Sequence, residues 1–155
     1  MINDTFTKGV ICGISGALVQ NILAFVAKLL GLTDTLYIDV AYAVLFNLTF
    51  KGILPVIVSL IGHLVIDSFW GIIFAFLIEY TSSKFYIFKG IVFGCSIWFL
   101  VRVIITKIFQ LPVLAKNCPK TALFFLFGAA MFGLTIALVL KFLDDRKPHV
   151  NNQLK

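Results

Sequence analysis

From Ile53 to Tyr80 the chain is apolar almost without a break, far longer than a buried core helix requires, and Ser59, His63, Asp67, Gly71, Ala75 and Glu79 stand at every fourth position within it. At a rise of about 1.5 Å per residue, such a run crosses a hydrocarbon core of about 30 Å with length to spare for tilt. The fourfold spacing gathers small and polar groups on one helix face. An ionisable side chain inside a bilayer is expensive, so it usually faces a partner, a cavity or a substrate path. His63 and Asp67 are therefore the first candidates for function.

The rest of the chain follows the same rule. With 61% apolar and 13% charged residues, it lies outside the soluble range, where about a quarter of residues are charged. Its 155 residues accommodate one compact unit of four spans. The expected fold is an all-α, polytopic transmembrane helical bundle with spans at about 6–30, 53–80, 85–109 and 122–143. Residues 1–145 form one transmembrane domain, and 146–155 form a polar tail. Segment 36–50 is too short to cross and carries Asp39 and Asn47. Asp39, Tyr42, Ala43, Phe46, Asn47 and Phe50 recur at helical spacing, which suits an interfacial or re-entrant helix between spans one and two. A span fused with its neighbour is the alternative. The first apolar segment is too long for a signal-peptide core and follows Asp4, so it is expected to remain.

Lysine and arginine placement bears on orientation. With four spans, one side holds Lys8, Lys84, Lys89, Lys141, Arg146, Lys147 and Lys155, and the other Lys28, Lys51, Lys107, Lys116 and Lys120. That bias places both termini in the cytoplasm. The net charge of +6 reads as attraction of anionic head groups to residues flanking the spans, and no nucleic-acid module accompanies it. The expected partners are the lipid bilayer and another membrane protein or a second copy of this chain, with no nucleic acid.

Small residues four apart mark packing faces: Gly9, Gly13 and Ala17, then Gly71 and Ala75, then Gly90 and Gly94, then Ala129, Gly133 and Ala137. Spacing leaves open whether these faces meet within one chain or between chains. The short Thr81-Ser82-Ser83 turn predicts that spans two and three are antiparallel neighbours. Counted from that turn, His63 and Arg102 are about equally distant, and Asp67 lies about 6 Å nearer to it. This predicts a buried cluster of Asp67, His63 and Arg102, with Ser59, Gln20 and Asn21 as hydrogen-bonding neighbours. Three readings of the cluster stand: a structural ion pair, a proton or ion relay, and a metal site. The last is opposed by Arg102 and by the position of the other histidine, His149, in the tail. No metal or cofactor is expected.

Other features carry less. Glu79 and Lys28 lie near span ends, where side chains snorkel. Cys12, Cys95 and Cys118 are odd in number and lack a C-x-x-C spacing, which favours packed thiols. Asn47-Leu48-Thr49 matches a glycosylation triplet of low specificity. No serine-hydrolase elbow, P-loop, H-E-x-x-H or dinucleotide glycine pattern occurs, so catalysis is a minority reading.

Lys8-Gly9, Tyr37-Ile38-Asp39, Trp70-Gly71-Ile72-Ile73-Phe74-Ala75, Lys89-Gly90 with Gly94 and Trp98-Phe99, and the final helix with Gly133 together form a pattern. It resembles a group of small, uncharacterised four-span membrane proteins of Gram-positive, spore-forming bacteria. The resemblance implies a bacterial inner-membrane protein and brings no activity with it. The polar density of the second span departs from that group. Two function classes follow from the residues: a non-enzymatic subunit or regulatory component of a membrane complex, and a small oligomeric channel or transporter using His63, Asp67 and Arg102. A lipid-acting membrane enzyme ranks third.

Overall fold

The computed structural model of the protein describes residues 4–46, 50–81, 84–107 and 119–145. Five helices occupy most of them: α1, Thr5–Leu29; α2, Tyr37–Phe46; α3, Ile53–Thr81; α4, Tyr86–Lys107; and α5, Pro119–Asp145. The four longer helices are each long and apolar enough to cross a membrane, and α2 is too short.

Local chemistry explains the ends. Asp4 caps α1, its carboxylate accepting from the Thr7 amide at 2.7 Å and the Thr7 hydroxyl at 2.6 Å. The cap satisfies a donor that a helix start leaves open, and those bonds, the hydroxyl first, hold the Asp4 carboxyl below its ordinary value. Beyond α1, Gly31 takes a φ of +68°, the left-handed geometry that glycine adopts without a Cβ penalty. α5 starts at Pro119 rather than Ala122, because a proline fits a first helical turn whose N–H has no intrahelical partner. It continues past Leu143 to Asp145 because Asp144 has partners inside the bundle.

Two close-packed helix pairs build the bundle, and small residues set both. Between α1 and α3, a Cβ added to Gly13 would lie 2.5 Å from Ser68 Cα, and one added to Gly71 would lie 2.5 Å from Gly13 N, nearer than real Cβ atoms approach. Between α4 and α5, a Cβ on Gly90 would lie 2.6 Å from Ala137 Cβ, and Gly94 and Gly133 face the backbone of Ala129 and Gly90. α1 joins the two pairs, with Gly16 against Phe132 and Ile136 of α5. Cys12, Phe74, Ile136, Ala137 and Leu140 fill the joint, and Ala17, Ala75 and Ala129 are buried as well. The small-residue faces therefore meet within one chain.

α3 and α4 depart from the expectation for neighbours in sequence. They touch at few points, chiefly through rings: Trp70 lies 6.4 Å and Phe74 5.3 Å from Phe93 between centroids. The physical reason is that each has only one face small enough for backbone contact, and those faces are occupied by α1 and α5. Large side chains remain where α3 and α4 face each other, so the two helices diverge. Ser82 and Ser83 of the connecting turn lie outside the described residues.

A buried ion pair fastens the end of the bundle near that turn. Lys8 Nζ lies 2.5 Å from Asp144 Oδ1, with the lysine side chain 3% exposed. The Tyr86 hydroxyl donates to Asp144 Oδ2 at 2.6 Å. Three helices thus share one carboxylate, and the Lys8 charge is directed inward rather than at head groups.

Gly71→Val should destabilise the fold by about 3 kcal/mol, the upper range for overpacking. Gly62→Ala, whose Cβ would meet only a flexible Leu45 methyl at 3.1 Å, should change stability by no more than about 1 kcal/mol. Thermal unfolding in one detergent compares them. Asp144→Ala should cost about 3 kcal/mol by leaving Lys8 buried without its carboxylate, and the double variant with Lys8→Met should recover much of that loss. Additive losses in the same measurement would reject the pair.

Candidate functional site

Where α3 and α4 diverge, they enclose with α2 and α5 a cavity of about 510 Å³, within the size range of small-molecule sites. Its walls are mostly apolar, with Val40, Ile97, Val101 and Phe132 among them. Val44 and Leu45 of α2, Ile66 of α3 and Leu100 of α4 line the cavity and are also exposed on the outer surface, so they mark its mouth. Gln20, Tyr37, His63, Asp67, Trp98 and Arg102 supply its polar groups.

α2 positions the first of these. The Tyr37 hydroxyl donates to the Phe125 carbonyl at 3.1 Å and is hydrogen-bonded with Gln20. The Tyr37 ring lies parallel to His63, with centroids 5.8 Å apart and an interplanar angle of 4°. Gly128 makes room, since a Cβ there would strike the Tyr37 hydroxyl. Burial pushes the phenol above its ordinary value, so the ring stays a neutral O–H donor. Ala43 and Phe125 pack beneath it with Val40, Trp98 and Val101, which closes α2 over that part of the cavity.

His63 and Asp67 lie one turn apart on α3, 8% and 7% exposed. His63 Nε2 and Asp67 Oδ2 are 3.3 Å apart. That distance permits attraction, yet the two atoms lack hydrogen-bond alignment, and neither has another hydrogen-bond partner among the described residues. Trp98 Nε1 is likewise buried without a hydrogen bond. Buried polar atoms are nearly always satisfied, so three such atoms around one cavity call for a physical explanation. Arg102 adds a guanidinium to the same lining.

The six residues expected to cluster divide. Gln20, His63, Asp67 and Arg102 line the cavity. Ser59 is fully buried but donates its hydroxyl to Pro55 O at 2.7 Å, and Asn21 donates to Ala17 O at 2.8 Å. Both side chains bond back within their own helices, and neither is part of the cavity lining. Tyr37 and Trp98 were missed. Trp98 stands four residues before Arg102, a spacing that places both on one face of α4. Tyr37 gave no such signal, because its role depends on where α2 folds back.

The remaining candidates sit elsewhere. Glu79 is exposed, and Lys28 Nζ lies 3.8 Å from Asp39 Oδ2 in a half-exposed pair worth little to stability. Cys12 and Cys95 are free thiols. Cys118 and Asn47-Leu48-Thr49 lie outside the described residues. Among the described residues, no three histidines, cysteines or carboxylates gather in a metal-binding arrangement.

The chain belongs to a family of unknown function, DUF6789, whose model matches residues 3–151. No curated protein and no solved structure shows significant similarity to it.

Tyr37→Phe should cost about 1 kcal/mol, the net worth of a hydrogen bond. Gly128→Val should cost more, because it displaces the ring from His63. Thermal unfolding of the two variants beside the unaltered protein checks the order.

Proposed function

We propose that the protein is a non-enzymatic membrane binding protein, one that admits an amphipathic small molecule sideways from the bilayer into the cavity between α3 and α4. One observation carries this reading: His63 and Asp67, buried and short of hydrogen bonds, line a cavity whose mouth is framed by Val44, Leu45, Ile66 and Leu100. An apolar mouth passes hydrocarbon and opposes hydrated ions, which lose their water at a cost of many kcal/mol. A ligand with its chain toward the mouth and its head among the polar groups gives those atoms the partners they lack.

The same geometry ranks the other readings. The small-residue faces that would seat a partner helix are used inside this chain, which weakens the case for an obligate subunit. A channel or transporter needs polar groups that continue across the bilayer, whereas here the described polar lining meets an apolar rim. In this proposal the protein resides in a bacterial cytoplasmic membrane with both termini in the cytoplasm. It acts by presenting its ligand, or the shape it takes with ligand bound, to a membrane partner.

Native mass spectrometry of the protein released gently from its own membranes tests the reading. The expected result is a single drug-sized amphiphile retained per chain and lost in Gly62→Phe, which fills the cavity beside Leu45. Retention of a protein partner with no small molecule would move the assignment to a complex subunit. A homo-oligomer that mediates ion flux would move it to a channel.

A further inference from the structure

We propose that the ligand of this cavity carries an uncharged, hydroxyl-bearing head, such as that of an acylglycerol or a long-chain alcohol. The inference rests on the cavity being an amphiphile site. It adds the chemistry of the head, which the chain's own polar atoms prescribe.

Two kinds of unmet hydrogen-bonding atom line the cavity. Asp67 Oδ2 is an acceptor without a donor, and Trp98 Nε1 is a donor without an acceptor. His63 Nε2, 3.3 Å from Asp67 Oδ2 and misaligned with it, can serve as either. A hydroxyl both donates and accepts, so one hydroxyl can satisfy Asp67 while accepting from a ring N–H, and a second can serve the other ring. A bare hydrocarbon leaves all three atoms unpaired. Sites built around buried hydrogen-bonding groups reject ligands that lack the matching group by large factors, because those groups are then stranded.

Charge and hydrogen bonding exclude the common alternatives. Asp67 and Arg102 are the two residues of formal charge, opposite in sign, among the described residues that line the cavity. A carboxylate or phosphate head would bring a second anion beside Asp67. An alkylammonium head would satisfy Asp67 but offers no acceptor to Trp98 Nε1. A neutral head incurs neither penalty, and burying it costs far less than burying an ion.

The protein supplies its own reporter. Its two tryptophans, Trp70 and Trp98, both line this cavity, so contact quenching by a brominated acyl chain reads occupancy directly. In phosphatidylcholine nanodiscs, the probes are dibromostearoyl monoacylglycerol, dibromostearic acid and the matching dibromo-octadecylamine. Saturable quenching by the monoacylglycerol at a tenfold lower mole fraction than by the acid or the amine is the expected result. Asp67→Asn removes the anion that a carboxylate head would meet and leaves an amide able to donate to it, so the fatty acid should become the tightest of the three. A misfolded protein could not produce that reversal. Trp98→Phe, read through Trp70, should weaken the monoacylglycerol about tenfold.

Each other outcome is decisive. Saturable quenching that is equal for the three heads would overturn the head-group assignment and leave the amphiphile site standing. Tightest binding of the acid or the amine by the unaltered protein would do the same. Quenching that rises in proportion to mole fraction without saturating, for every probe, would remove both the head-group assignment and the site. Should Asp67→Asn fail to fold, the ranking by the unaltered protein decides alone.

Discussion

Backbone-to-backbone contact at glycine is the constraint from which the rest of this bundle follows. In lipid, burying apolar surface gives helices little reason to associate, so packing depends on how closely backbones approach. Gly9, Gly13 and Gly71 bring α1 onto α3, and Gly90, Gly94 and Gly133 bring α4 onto α5. Once those faces are used, α3 and α4 have only bulky sides left for each other. They separate, and the space between them becomes the cavity. The cavity is thus a by-product of which helix pairs can pack closely.

The two polar clusters respond to burial in opposite ways. Lys8, Asp144 and Tyr86 form a closed set, in which the carboxylate is bonded through both oxygens and ties α1, α4 and α5 together. Such a set resists change, because removing any one member strands another. His63, Asp67 and Trp98 are an open set, lining one cavity yet left short of hydrogen bonds among the described residues. Open sets cost stability, and a protein tolerates them where another molecule completes them. That contrast locates the candidate site more firmly than residue type alone, since both clusters contain a carboxylate and a base.

How far the site was legible depended on which side chains obey helical spacing. His63 and Asp67 stood out because a fourfold stripe on a long apolar run leaves them nowhere to face but inward. Counting from the short turn sets Arg102 at the depth of His63, and both residues line the cavity. The short turn itself predicts α3 and α4 as antiparallel neighbours, yet they touch at few points, because a shared turn fixes one end of each helix and says nothing about which faces match. Ser59 and Asn21 had the right spacing but could satisfy themselves on their own helices, an option that periodicity does not register. The Lys8–Asp144 pair joins residues 136 positions apart, and no local pattern predicts a contact of that range.

The sequence by itself determined the four helices long and apolar enough to cross a membrane, their approximate limits and the faces that would pack, because apolar run length and fourfold spacing are local properties. Tertiary structure alone decided which faces meet, that they meet within one chain, that α2 folds back to set Tyr37 beside His63, and that a cavity opens where α3 and α4 part. Those outcomes depend on competition among faces for a limited set of partners. That competition is settled only when all the helices are present together.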